Sequence, residues 1–201
     1  MAKLILASKS PRRKKLLEQI GLPFEIFPSN ASEDIDLKDP TEFAKTLAIR
    51  KAEEVAAHCP DSIIIGADTV VVLDNHILNK PQNHKEAFEM LTMLSGNMHE
   101  VITGVCLLQT NKKCEIVNRR EFAEITEVFF RNIMDHEIIK YIKGGSPMDK
   151  AGGYGIQDDW GALFVERING DYNNVVGFPL SRFYMELHRL NPDVIDQIIT
   201  D

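Results

Sequence analysis

The run Ser8-Lys9-Ser10-Pro11 is followed directly by Arg12, Arg13, Lys14 and Lys15. Ser10 suits a helix N-cap and Pro11 the first helical position, so the cations fall in the first turn. A helix start carries partial positive charge and disfavours cations there by about 0.3–1 kcal/mol each. Acidic residues are the ordinary occupants of such a turn. Free backbone N–H groups, two hydroxyls and guanidinium groups together make an anion site, and a solvated basic patch is the plain alternative. A P-loop is excluded, because no glycine-rich loop ends in GK[ST].

Asp68-Thr69 closes the most apolar run of the chain. A carboxylate beyond the carboxyl end of a buried strand binds a divalent ion or acts on a water, although a turn aspartate has the same pattern. Lys80, stiffened by Pro81, and Lys51, beside Ala48 and Ala52, read as phosphate contacts or as solvated lysines. Glu33, next to Asp34 in a polar loop, could complete a metal site with Asp68 or be a solvated acid. In Asp149-Lys150-Ala151-Gly152-Gly153-Tyr154-Gly155-Ile156-Gln157 the glycines permit close backbone approach to a ligand, and Gln157 offers a donor and an acceptor to an imide edge. No histidines stand at HxxxH or HxH spacing, and Trp160 reads as packing or rim.

The elements that must position these residues alternate in type. Strands are expected at residues 4–7, 24–27, 62–67, 70–73, 100–109, 114–130 and 162–168. Helices are expected at 11–20, 40–55, 84–94, 134–143 and 179–190. Turns fall at Asp74-Asn75 and at residues 110–113. Mixed β and α in this order predicts an α/β sheet enclosed by helices, as a single domain over 1–201 with two lobes.

Lys and Arg number 23 against 30 Asp and Glu, a net charge of −7. Such a chain is a poor nucleic-acid coat or membrane-surface binder, yet it can hold a small anion on a local cluster. Cys59, Cys106 and Cys114 form no CxxC, so structural zinc is not expected, and reduced thiols suit a cytoplasmic setting. Neither a signal-peptide core nor a membrane span is legible.

Taken in order, residues 4–13, Gly66-Ala67-Asp68-Thr69-Val70-Val71, Lys80-Pro81, Leu94-Ser95-Gly96, residues 149–157 and Asn173-Asn174-Val175-Val176-Gly177-Phe178-Pro179-Leu180 resemble the motifs of the Maf family of nucleotide pyrophosphatases. The likeness runs from about residue 4 to residue 187. It implies a mixed, strongly curved sheet flanked by helices, with two lobes around a deep cleft, often in a homodimer. It implies hydrolysis of nucleoside triphosphates between the α and β phosphates, with Mg²⁺ or Mn²⁺ as cofactor. Carried onto this sequence, Asp68, Arg13, Lys51 and Lys80 are the catalytic set. Ser8, Arg12, Thr69 and Gln157 bind substrate, and Glu33 with Asp68 holds the metal. The 149–157 run is similar to the branch acting on dTTP and UTP. A nucleotide-binding regulator of cell division or septum formation is the alternative. Asn79 stands where the family usually has glycine, and asparagine tolerates left-handed angles there. Asp158-Asp159-Trp160 replaces glycine-containing residues and places an acidic, bulky rim near the base pocket. If phosphates alone explain the first-turn cations, removing Arg13 should leave thermal stability equal or higher.

Overall fold

The computed structural model describes residues 2–195, and within them every side chain except those of Ser146 and Asp159. The apolar run near the N-terminus forms β1 (Lys3–Leu6), whose Leu4, Ile5 and Leu6 are buried. It pairs in parallel with β2 (Glu25–Ile26) and with β3 (Ser62–Leu73), the latter in the register Lys3↔Ser62 to Leu6↔Ile65. β3 meets β4 (His76–Leu78) in antiparallel register, Val71 opposite Leu78. The hairpin between them turns through Asp74 and Asn75 at φ 49° and 64°, the two left-handed residues that a two-residue loop requires. With β5 (Met98–Thr110), β6 (Ile116–Phe130) and β7 (Val165–Asn169), the strands form a mixed sheet of order β2-β1-β3-β5-β6-β7, with β4 beside β3. A mixed α/β architecture is therefore what the structure shows.

The chain divides into two compact units, and it passes between them at 68/69, 102/103, 124/125 and 176/177. The first unit comprises residues 2–68, 103–124 and 177–195. Its helices are α1 (Pro11–Gln19), α2 (Pro40–Ala56) and α6 (Leu180–Leu190). α2 begins as its sequence demands: Asp39 accepts from Glu42 N at 2.9 Å, and Pro40 follows at the first position. Its inner face is small, and the sheet beneath is notched to receive it. A Cβ on Gly66 would lie 2.2 Å from Ala48 O, and one on Gly104 would lie 2.4 Å from Ala44 backbone. Ala48, Ala52 and Val55 thus close on Ile5, Ile64, Cys106 and Leu108.

The second unit comprises residues 69–102 and 125–176. It holds α3 (His84–Leu94), α4 (Asp135–Lys143) and the short α5 (Tyr172–Val176). Its core joins Val71, Leu91, Leu94, Val128, Phe130 and Phe164, with ring contacts such as Tyr141 on Phe164 at 5.2 Å. Irregular 3-10 turns carry the glycine-rich segment, at Ser146–Asp149, Ala151–Gly153 and Asp159–Leu163.

Several expectations are corrected. Residues 62–67 and 70–73 are one strand, so Asp68-Thr69 lies inside β3. The reason is a change of partner: β1 accompanies β3 only to Ile65, and β4 takes over from Val71. Residues 162–163 belong to a 3-10 turn, and the last strand begins at Val165. β4 and α5, both short, had no periodicity to betray them. Positive φ outside glycine falls at Asp61, Asp74, Asn75 and Cys114 among the described residues, so Asn79 needs no left-handed angle.

Candidate functional site

The first unit gathers Ser8, Arg12, Arg13, Glu33, Lys51 and Asp68. The strand pairing explains where they meet. Ala7 N donates to Ile65 O at 2.9 Å, the last rung between the β1 segment and β3. Two residues on, Ala67 O faces the same edge and has no β1 residue to bond. Arg13 fills the gap. Its Nη1 donates to Ala67 O at 2.9 Å and to Ser8 Oγ at 3.2 Å, and its Nε donates to Gly177 O at 3.0 Å. Arg13 as a whole is 8% exposed. Burial pushes it below the usual arginine range and Arg12 adds to that fall, while Asp68 and Glu33 oppose it. It remains a cation at any ordinary pH. The expectation that Arg13 is dispensable for stability is thereby corrected, since it satisfies two buried carbonyls.

Asp68 follows Ala67 directly and so sits just past the end of β1. Lys51, carried to it by the close seating of α2, donates to Asp68 Oδ1 at 2.7 Å. The same ammonium is 2.6 Å from Glu33 Oε1. Lys51 and Asp68 are each 14% exposed, whereas Glu33 is 65% exposed. One cation thus holds two carboxylates, one from a loop and one from within β3. The hydrogen bond from Lys51 is made to one oxygen of Asp68, Oδ1. Ser10 caps α1 by accepting from Arg13 N, and no acid stands in the first turn. Arg12 is half-buried and Lys14 is exposed.

A Mg²⁺-type ion takes oxygen ligands, keeps several waters and is bound through one or two carboxylates plus substrate phosphates. Glu33 and Asp68 fit that role when phosphates complete the shell. They do not fit a protein-only site, since no group of three or more His, Cys, Asp or Glu able to hold a metal occurs among the described residues.

The second unit places Thr69, Lys80 and Gln157. Thr69 is half-buried within β3. Lys80 is exposed, in a loop tied to the glycine-rich segment by Gly152 N donating to Asn79 O at 3.2 Å. Gln157 is half-buried, and its Nε2 donates to Asp158 Oδ2 at 3.1 Å. Trp160 is half-buried against the core with Lys140 Nζ 4.0 Å above its ring, a packing residue at a rim. Beneath the segment, Tyr154 OH lies 2.7 Å from His99 Nε2, and both rings pack edge-on to Phe130.

A family model described as Maf-like protein matches residues 3–190. The chain belongs to the Maf-like family. A dTTP/UTP pyrophosphatase of Geobacillus sp. (strain WCH70) is 53% identical over 191 residues, covering 94% of this chain and 99% of that protein. A dTTP/UTP pyrophosphatase of Bacillus cereus (strain ZK / E33L) is 48% identical over 195 residues, covering 96% and 98%. No helix of this Maf-like chain is long and apolar enough to cross a membrane among the described residues.

Sequence reasoning missed Gly177 O as an acceptor for Arg13, and it missed Lys150 and His99. The ordering of Arg13 over a strand gap had no local signal. Lys150 did have one: a lysine next to Asp149 and before a glycine run is 7% exposed.

Proposed function

We propose that this Maf-like protein hydrolyses dTTP and UTP to the nucleoside monophosphate and pyrophosphate. The observation that carries the reading is the Glu33–Lys51–Asp68 cluster beside the buried Arg13. The names of the two relatives, each matched along nearly its whole length, support the substrate class. Water enters, the anhydride between the α and β phosphates breaks, and pyrophosphate leaves. Such a transfer demands positioning and charge neutralisation more than covalent chemistry. Asp68 orients the water and accepts a proton from it through its carboxylate. Lys51, Lys80, Arg12 and Ser8 neutralise and hold phosphate oxygens, and Arg13 keeps Asp68 and Ser8 in register. Thr69 and Gln157 meet the nucleoside. Mg²⁺ or Mn²⁺, held by Glu33 and Asp68 with the phosphates, would neutralise charge on the transferred group.

Release of pyrophosphate from UTP and dTTP in the presence of Mg²⁺ or Mn²⁺, lowered by about a hundredfold or more in Asp68→Asn, is the test. Binding of these nucleotides without any release would instead support the regulator reading. A homodimer, which the family resemblance implies, and a cytoplasmic setting, which reduced thiols suit, belong to the same proposal; light scattering of the purified chain measures the first.

A further inference from the structure

A glutamine amide is two-faced, and turning it over exchanges donor and acceptor. To read a base it must be held one way round. In this chain the holder is Asp158. Gln157 Nε2 lies 3.1 Å from Asp158 Oδ2, and an ionised carboxylate only accepts, so the amino group must face it. Gln157 Oε1 is thereby turned elsewhere, and it is buried without a protein partner among the described residues. The carboxylate is itself held. Lys150 Nζ is 3.2 Å from the same Asp158 oxygen and 2.8 Å from Asp149 Oδ1. The segment is shaped around this pair, because a Cβ on Gly155 would lie 2.8 Å from both Asp158 Oδ2 and Lys150 Cε.

We propose that Asp158, anchored by Lys150, is a positioning residue that locks the Gln157 amide with its oxygen toward the ligand, and so sets the choice between pyrimidine edges. This deepens, and rests on, the reading of Gln157 as the base contact. Uracil and thymine present N3–H beside a carbonyl at position 4, which needs an acceptor and then a donor. Cytosine presents a bare N3 beside an amino group, which needs the reverse. A freely turning amide serves both edges, and a locked one serves the first.

The variants separate this role from a merely structural one. Asp158→Ala removes the acceptor and leaves the Lys150 ammonium, a donor, beside Gln157, which draws Oε1 toward it. The Asp158 side chain is 35% exposed, so its loss opens no core cavity. The UTP-to-CTP ratio of kcat/KM is expected to fall by about tenfold or more, with the CTP value rising in absolute terms. Asp158→Asn, which keeps an oxygen on Lys150, should retain most of the wild-type ratio. In a Gln157→Ala background the Asp158→Ala change should move the ratio by less than about twofold, since the two residues act as one unit. Equal losses for UTP and CTP, or an unchanged ratio in Asp158→Ala, overturn the proposal while leaving the pyrophosphatase reading intact. A wild type that releases no pyrophosphate from UTP defeats that reading instead. The ratio is then taken from dissociation constants of the αβ-imido analogues of UTP and CTP, and absence of the shift there overturns the positioning role.

Discussion

Asp68 and Lys51 form the most consequential pair at the scale of single residues, because the ammonium of one is shared with Glu33. Asp68→Asn retains the shape of the side chain and removes the proton acceptor. It is expected to lower kcat by about 10²–10⁴, with a melting temperature within a few degrees of wild type. Turnover at the wild-type rate in a folded variant would exclude Asp68 from the reaction. His99 makes a second prediction, for stability. Burial pushes its pKa down from 6.5 to about 3. The unfolded chain therefore binds a proton that the folded chain refuses between those values. Stability is fully present above about pH 6.5 and declines as pH falls toward 3, by about 1.4 kcal/mol per pH unit from this group alone. Thermal melts from pH 7 to pH 5 should show that decline, and a His99→Gln variant should show a flatter one. The candidate site residues stood out in the sequence, since a crowd of cations after Ser10-Pro11 runs against helix electrostatics and marks either an anion site or a solvated basic patch. Their partners were not legible. Arg13 bonds to carbonyls 54 and 164 residues away, and a main-chain oxygen has no letter of its own.

The decisive element is β3, a strand with one set of neighbours in its first half and another in its second. Its apolar halves were readable as strands, but their continuity through Asp68 was not, because a charged residue amid valines and isoleucines looks like an end. Arg13→Ala should strip the unpartnered Ala67 carbonyl of its donor together with Gly177 O. The expected cost is about 2 kcal/mol or more in urea unfolding, with activity lost as well. An unchanged unfolding midpoint would show that the two carbonyls find other donors. Gly66→Ala probes the seating of α2, since its Cβ would lie 2.2 Å from Ala48 O. A backbone atom cannot swing aside, so we expect destabilisation of about 1–3 kcal/mol and weaker activity through a displaced Lys51. Helix α2 itself was foreseeable from its spacing of Ala44, Leu47, Ala48 and Val55, whereas the notch in the sheet that admits it was not.

For the whole molecule, the relevant fact is that neither compact unit is a continuous piece of chain. The first draws on three segments and the second on two, and β3, β5 and β6 each run from one into the other. A fragment ending at Ile102 contains the Asp68 cluster yet lacks the rest of β5, all of β6 and α6. It should give neither native circular dichroism nor dispersed amide resonances. A folded fragment with bound nucleotide would show that the Asp68 cluster forms without the later segments of the first unit. The mixed order of strands and helices announced the α/β class, but a division that cuts through strands leaves no linker, and composition alone could not have located it.

The bond from Arg13 to Gly177 O has a consequence for the order of events during synthesis, because 164 residues separate its ends. Translation delivers Gly177 164 residues after Arg13. Until then the nascent chain carries a guanidinium meant for a buried seat but lacking one of its acceptors. The hydrogen-bond set of Arg13 beside Asp68 is therefore completed only when the ribosome has released the segment just before α6. A truncated product of translation, however much of β3 and α2 it contains, leaves the tunnel with Arg13 short of one of its buried acceptors.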